Sequence, residues 1–170
     1  MLSEKMIVTL SQQIKKEYDS AYLYLEIGEY FGSRGLKGFR NWYFVQAREE
    51  EDHAMIIYEY MHANNAKVQF YSIEPGESKF SDLITPIKMG LNHEKYITDS
   101  INKIYELAEH ENDYRTMHFL EWFIEEQMEE EDTAQEVLEK MELFGETSAG
   151  LYQLDKEYGK REYEKCSQLK

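Results

Sequence analysis

Hydrophobic and polar residues follow a helical period along most of this chain. In four long stretches, mostly apolar residues recur at alternating steps of three and four positions, which is typical of the buried face of a helix in a bundle. The four stripes are Ile7, Leu10, Ile14, Glu17, Ala21, Tyr24, Gly28 and Phe31; Phe39, Tyr43, Gln46, Glu50, His53, Ile57 and Tyr60; Ile84, Ile87, Leu91, Glu94, Thr98, Ile101, Tyr105 and Ala108; and Leu120, Phe123, Gln127, Glu130, Ala134, Val137, Met141 and Phe144. We therefore predict an all-α fold with four long helices, at about 4–33, 37–63, 83–110 and 114–144.

The segments between these helices indicate how the helices are connected. "SRGLKG" at 33–38 and "HENDY" at 110–114 are short turns, so each joins two helices into an antiparallel hairpin. Residues 64–82, which contain Pro75-Gly76, are long enough to run the full length of the bundle. We therefore predict a four-helix bundle with a long crossover between helices two and three.

The C-terminal part adds one short element to the single predicted domain, 1–170. Ser148 is expected to be the N-cap of a short fifth helix at 148–158. The tail that follows, 162–170, is expected to be flexible.

Each stripe becomes polar near its middle. The polar residues are Glu17 on helix one, Glu50 and His53 on helix two, Glu94 on helix three, and Gln127 and Glu130 on helix four. One unpaired buried carboxylate costs several kcal/mol, and four carboxylates placed together would also repel one another. Because cations would neutralise such a cluster, the pattern favours a metal site over a solvated acidic helix face.

The position of these residues along the hairpins supports their convergence. Glu17 and His53 each lie 18 residues from Gly35, and Glu94 and Glu130 each lie 18 residues from Asn112. Within each hairpin the candidate ligands therefore face each other at one height. The stagger between the two hairpins stays open, because the crossover does not fix it.

The residue types narrow the choice of metal. Oxygen ligands with a single imidazole suit iron, manganese or zinc better than calcium, and Glu50-x-x-His53 places both side chains on one helical face. Gln127 is either a site residue or a packed amide, and Tyr24 is either plain core or a redox or hydrogen-bonding residue. Surface or turn positions are expected for the other histidines, His62, His93, His110 and His118. Glu51, Asp52, Glu131 and Asp132 are expected to face outward or towards neighbouring subunits.

Composition excludes several other classes of protein. The chain has 34 acidic and 19 basic residues and a net charge of −15, which disfavours nucleic acid as a partner and suits cations. Its single cysteine, Cys166, rules out a Cys-rich metal module. No apolar run approaches the roughly 18 residues of a membrane span, so we expect no membrane partner and a cytoplasmic location.

The ligand pattern resembles a known family. Glu17, Tyr24, Glu49-Glu50-x-x-His53, Glu94 and Glu126-Gln127-x-x-Glu130 are similar to the motifs of bacterial-type non-haem ferritins, in the ferritin-like diiron family. The resemblance covers nearly the whole chain. It implies iron storage and detoxification by a ferroxidase, which oxidises Fe(II) with dioxygen or peroxide at a diiron centre within the subunit. It also implies a homo-oligomeric shell of 24 subunits that holds ferric mineral.

The resemblance also implies roles for individual residues. Glu17, Glu50 and His53 would hold the first iron, with Glu50 as the bridge to a second iron held by Glu94 and Glu130. Gln127 would lie beside the second iron and position oxygen, and Tyr24 would be an electron donor. A third iron site would use Glu49, Glu126, Glu129 and Glu130.

Two differences from the bacterioferritins lead us to expect no haem. Bacterioferritins carry a second Glu-x-x-His on helix four, where this chain has Gln127-x-x-Glu130, and a haem-binding methionine where this chain has Asp52. Two other functions stay open from the residues alone. One is a diiron oxidoreductase acting on an organic substrate, and the other is a metal-buffering bundle without mineral storage.

Overall fold

The computed structural model describes residues 1–74, 76 and 79–169, and within them the chain is helical with no strand. The helices are α1 (Glu4–Ser33), α2 (Lys37–Ala63), α3 (Ile84–Glu111), α4 (Tyr114–Phe144) and α5 (Ser148–Tyr158), followed by a 3₁₀ turn at Ser167–Leu169. The predicted four-helix bundle with a long crossover and a short fifth helix is confirmed. The third helix begins and ends one residue later than its predicted bounds of 83–110.

Side-chain oxygens cap most of the helix N-termini. Ser3 accepts from the amide of Met6 at the start of α1, and Asp113 accepts from Thr116 at the start of α4. At α5 the predicted cap was wrong by one residue. Thr147 is extended and accepts a hydrogen bond from an amide in the first turn, so Ser148 is the first helical residue and not the N-cap.

The two hairpin turns use left-handed backbone conformations. Gly35, after α1, has φ +82°, and Asn112, after α3, has φ 55°. Glycine and asparagine are the residues that adopt this region most readily. Both turns reverse the chain within a few residues, so that α1 packs against α2 and α3 packs against α4.

The crossover runs along α1. Near its start, the amide of Gln69 donates to Ser11 Oγ at 3.1 Å, and at its end the carbonyl oxygen of Asp82 accepts from Tyr30 Oη at 2.8 Å. Ser11 and Tyr30 are separated by most of α1, roughly 28 Å at about 1.5 Å per residue. Of the Pro75-Gly76 pair noted in the sequence, Pro75 lies outside the described residues.

The apolar core consists of two clusters, one on each side of the polar residues in the stripes. One cluster packs the α5 end and includes Phe31, Phe39, Tyr43, Ile87 and Leu154. The other packs the opposite end and includes Met6, Leu10, Ile57, Ile101 and Phe123. Among the described residues, no helix combines the length and hydrophobicity that a membrane span needs.

The described part of the C-terminal tail makes hydrogen bonds to α2. In its described part, residues 162–169, Tyr163 Oη donates to Asp52 Oδ2 at 2.9 Å, and the amide of Cys166 donates to the same oxygen at 2.8 Å. Asp52 is 8% exposed and is covered by the tail of its own chain, so its predicted position, outward or towards a neighbouring subunit, is wrong. The flexibility of the tail stays a prediction.

Candidate metal centre

The polar residues of the four stripes form one buried layer between the two apolar clusters. Helical phase points Glu17, Glu50, His53, Glu94, Gln127 and Glu130 inward, and each is at most 7% exposed. Outside this layer the stripes supply apolar side chains, so the carboxylates lie in an interior with little water to solvate them. The stagger between the two hairpins, which the sequence left open, brings Glu50 of the first hairpin close to Glu94 and Glu130 of the second.

The ligand atoms of this layer lie close enough to share metal ions. In each of three groups the candidate atoms are all within 4.8 Å of one another. The groups are Glu17, Glu50 and His53; Glu50, Glu94 and Glu130; and His53, Glu126 and Glu130. Glu50 belongs to the first two groups, so its carboxylate stands between two adjacent cation positions.

Several atoms of the layer lack hydrogen-bond partners. Among the described residues, the buried atoms Glu17 Oε2, Glu50 Oε1 and His53 Nδ1 make no hydrogen bond. His53 Nδ1 lies 3.4 Å from Glu50 Oε2, close enough for an ion pair. Buried polar atoms are normally paired, so these three are candidate ligand atoms for a cation that suits oxygen and imidazole nitrogen.

Without a cation, protons neutralise the layer. Burial, together with the neighbouring Glu50, raises the pKa of Glu17 to about 8 against the opposing effect of His53. Burial likewise raises the pKa of Glu94 to about 8 and that of Glu130 well above its usual range. A metal ion must displace these protons before the carboxylates can bind it.

At His53, burial and the neighbouring carboxylates shift the pKa in opposite directions. Burial disfavours the imidazolium, but the carboxylates of Glu50, Glu17 and Glu130 outweigh burial and raise the pKa of His53 to about 10. The ring therefore carries a charge that partly balances the carboxylates. Since a metal binds the neutral imidazole, binding at His53 also releases a proton.

Two buried glutamines orient the carboxylates. Ser100 Oγ donates to Gln13 Oε1 at 2.5 Å, so Gln13 Nε2 faces Glu17 and donates to it at 2.8 Å. On α2, Arg161 Nη1 donates to Gln46 Oε1 at 2.7 Å. Gln46 Nε2 donates in turn to Glu130 Oε2. Glu17 in the first group and Glu130 in the second are thus each held by an oriented glutamine amide.

Tyr24 and Gln127 both contact Glu94. Tyr24 Oη donates to Glu94 Oε1, and Gln127 Nε2 donates to Glu94 Oε2 at 3.2 Å. The ring of Tyr24 also stacks on that of Tyr43, with centroids 5.8 Å apart. Neither residue is plain packing, because both fix the carboxylate that α3 contributes.

The residues of the predicted third iron site are only partly together. Glu126 and Glu130 share a group with His53. Glu49 is instead paired with Arg161, whose Nη2 lies 2.5 Å from Glu49 Oε2, and Glu129 is exposed. Burial raises the pKa of Glu49, while the guanidinium of Arg161 opposes that shift.

Comparison with known proteins identifies the family. The family model described as "Ferritin-like domain" matches residues 7–144. The chain belongs to the ferritin family. A bacterial non-heme ferritin of Staphylococcus haemolyticus is 32% identical over 164 residues, covering 96% of this chain and 99% of the relative. An open pore ferritin of the hyperthermophilic archaeon Archaeoglobus fulgidus is 40% identical with a TM-score of 0.93, covering 95% of this chain and 100% of that one. A closed form engineered from an Archaeoglobus fulgidus ferritin gives a TM-score of 0.94 at 40% identity, covering 96% of this chain and all of that chain.

The contacts of Gln13 and Gln46 with the metal centre have a signal in the sequence of this ferritin-family chain. Gln13 and Gln46 each lie four residues before a candidate ligand of their own helix, Glu17 and Glu50, and therefore on the same face. Arg161 had no such signal, because it follows α5 and reaches α2 only through the tertiary fold.

The four remaining histidines divide into two kinds. His62, His110 and His118 are exposed, as predicted. The prediction for His93 was wrong, since its Nε2 lies 2.8 Å from Ser20 Oγ and burial lowers its pKa. The cause is the packing of α1 against α3, which covers this position.

Proposed function

We propose that this chain is an iron-storing ferroxidase that oxidises Fe(II) to Fe(III) at a two-iron centre inside each subunit. Its membership of the ferritin family supports iron storage and ferroxidase activity. The observation that carries the two-iron centre is the position of Glu50. Its buried carboxylate is common to two adjacent groups of ligand atoms, and one of its oxygens has no hydrogen-bond partner among the described residues.

In this proposal each residue of the layer has a definite task. Glu17 and His53 hold the first iron, Glu94 and Glu130 hold the second, and Glu50 bridges them. Carboxylates are hard donors that favour Fe(III) over Fe(II), so the ligands draw bound iron towards oxidation. Two Fe(II) held side by side deliver two electrons together to dioxygen, which takes up two protons and leaves as peroxide.

The residues around the ligands keep this geometry ready for iron. Gln13 and Gln46 hold one oxygen each of Glu17 and Glu130, and leave the other oxygen of each available to a cation. Tyr24 and Gln127 each donate to a different oxygen of Glu94 and so fix its orientation, and Tyr24 is suitably placed to supply an electron. As iron binds, the protons on Glu17, Glu94 and His53 are released.

The larger assembly forms the second part of the proposal. Ferritin-family neighbours support a homo-oligomer, and we propose a shell of 24 subunits that stores ferric mineral in the cytoplasm. Fe(II) and dioxygen or peroxide are the proposed substrates. A third iron at Glu49, Glu126, Glu129 and Glu130 requires Glu49 to leave Arg161.

One experiment tests storage against the alternatives. Fe(II) is added in air to the purified protein, oxygen uptake and ferric absorbance are followed, and the assembly is sized before and after. A large assembly that keeps many irons per subunit in solution supports the proposal. A monomer that precipitates iron, or an assembly that binds Fe(II) without consuming oxygen, contradicts it.

A further inference from the structure

Arg161 is held next to the metal centre by contacts along its whole length. Asn41 Nδ2 donates to the carbonyl oxygen of Arg161 at 2.9 Å, which fixes its main chain to α2. The guanidinium carbon lies 4.5 Å from the centroid of the Trp42 ring, a cation–π contact. The side chain is therefore positioned by a built site and is not a loose surface arginine.

The guanidinium satisfies two acceptors of α2 at once. Its Nη1 donates to Gln46 Oε1 at 2.7 Å, and its Nη2 donates to Glu49 Oε2 at 2.5 Å. Arginine is always charged and has no acceptor atom. Arg161 thus holds one permanent positive charge beside Glu49. Glu49 lies at the edge of the layer in which Glu126, Glu130 and His53 converge.

We propose that Arg161 is a resident counter-ion for the third cation position and that it competes with a third metal ion for Glu49. A metal at Glu126 and Glu130 gains the Glu49 oxygen that Arg161 Nη2 holds, and the unshared charge of that carboxylate, only when the guanidinium releases it. Arg161 thereby makes the third ion bind more weakly than the other two. This inference rests on the proposed two-iron centre, because it concerns the ion that binds after that centre is filled.

The Arg161–Glu49 ion pair is partly exposed to water, which allows a metal ion to replace Arg161 at Glu49. The side chains of Arg161 and Glu49 are each 24% exposed, and ion pairs in contact with water are weak enough to be replaced. Release of Glu49 also removes the donor that orients Gln46, whose amide holds Glu130. Occupation of the third position therefore loosens a ligand of the second iron, which favours the onward movement of oxidised iron.

Calorimetric titration with Zn(II), which cannot be oxidised by air, tests the competition on the assembled protein. We expect two tight ions per wild-type subunit and a weaker third. In Arg161→Gln, loss of the charged donor should tighten the third ion by about tenfold. In Arg161→Gln with Glu49→Gln that gain should disappear, because the ligand that Arg161 protects is gone.

Lys160→Gln is the matched control, since Lys160 is exposed, carries the same charge and precedes Arg161 in the chain. It should leave the third ion unchanged. Equal tightening in Lys160→Gln and Arg161→Gln would overturn the proposal, because it would mean that net charge alone sets the affinity. Unchanged binding in Arg161→Gln would also overturn it. A wild-type chain without two tight Zn(II) ions would instead contradict the proposed two-iron centre.

A spectroscopic readout tests the displacement of Arg161 itself. Trp122→Phe leaves Trp42 as the reporter, and Zn(II) has a closed shell that does not quench tryptophan. We expect Trp42 emission to change with the third equivalent of Zn(II), as the guanidinium leaves the ring. The same change should be absent in Arg161→Gln. Emission that is constant through the third equivalent would show that Arg161 stays in place and would overturn the proposal.

Discussion

At the scale of single residues, the candidate metal centre is a layer of buried carboxylates, of which Glu17 and Glu94 keep their protons up to about pH 8. Glu17, Glu50, Glu94 and Glu130 are held among apolar side chains, where unpaired charge is costly. Hydrogen bonds from Gln13, Gln46, Gln127 and Tyr24 hold only some of their oxygens, and these donors are the residues to vary when function is probed.

Replacing Glu50, the proposed bridging carboxylate, tests both function and stability. In Glu50→Gln we expect Fe(II) oxidation to slow by at least about 100-fold, because both proposed iron positions lose a ligand. The metal-free variant should keep the wild-type fold but melt at a lower temperature, since the charge on His53 loses the carboxylate 3.4 Å from its Nδ1. Glu51→Gln, an exposed neighbour on α2, is the control and should leave both measurements unchanged. Normal oxidation in Glu50→Gln would contradict the assignment.

The pH dependence of metal-free stability follows from the raised pKa values. Folded Glu17 and Glu94 keep their protons up to about pH 8, whereas their ordinary pKa is 4.5. Between these limits the folded state binds more protons than the unfolded state, so the free energy of unfolding should fall as pH rises from about 5 to 8. His53 adds the same trend, from its ordinary 6.5 to about 10.

Calorimetric melting in EDTA and in Zn(II) checks this prediction. The melting temperature in EDTA should fall between pH 5 and pH 8, and the stabilisation by Zn(II) should grow over the same range, because metal replaces the lost protons. Glu17→Gln should flatten the slope in EDTA. A metal-free melting temperature that rises across this range would contradict the proton-balanced layer.

Tyr24 allows a test of a single hydroxyl. Tyr24→Phe keeps the ring that stacks on Tyr43 but removes the donor to Glu94. We expect a loss of stability of about 1 kcal/mol, binding of two Zn(II) per subunit as before, and slower Fe(II) oxidation in stopped-flow absorbance. An oxidation rate equal to wild type would leave Tyr24 with a packing role only.

At the scale of elements, α5 completes the bundle by capping α2. The N-cap residue of α2, Leu36, offers no side-chain oxygen, and Asp155 of α5 supplies one instead. Its Oδ1 accepts from the amides of Gly38 and Phe39 at 2.7 and 3.0 Å. Gly38 is required here, because a Cβ at this position would lie 1.6 Å from the carbonyl oxygen of Asp155.

This shared cap predicts that α5 and the tail dock as one unit. Asp155→Ala should destabilise the protein by about 1–2 kcal/mol and should expose the C-terminal segment to proteases. Asp132→Ala, at an exposed position of α4, should change neither property. Thermal unfolding and limited proteolysis are the measurements, and an unchanged cleavage pattern in Asp155→Ala would refute the coupling.

The elements also show how far the sequence alone could lead. The three-four period located the helices within a residue or two and turned Glu17, Glu50, Glu94 and Glu130 towards one layer, because helical phase depends only on spacing. Contacts made by segments that lack a helical period could not be predicted in this way. Arg161, Tyr163 and Cys166 reach α2 through the tertiary fold, and Asp52, which the phase placed outward, is covered by that tail.

At the scale of the whole molecule, strong negative charge suits a protein that collects iron. A net charge of −15 on each subunit raises the local concentration of cations, and the same charge opposes assembly unless it is offset at the interfaces. We therefore expect the assembly to loosen at low ionic strength and high pH and to tighten with divalent cations. Analytical ultracentrifugation checks this, and dissociation on adding salt would contradict it.

The stoichiometry of the first oxidation step tests the central claim most directly. Fe(II) is mixed with the metal-free protein in limiting amounts, and the fast ferric absorbance and the oxygen consumed are measured together. A two-iron centre predicts a fast phase that saturates at two Fe(II) per subunit, with one dioxygen consumed for each pair. Saturation at one Fe(II) per subunit would contradict the account. A fast phase that is unchanged in Glu50→Gln would also contradict it.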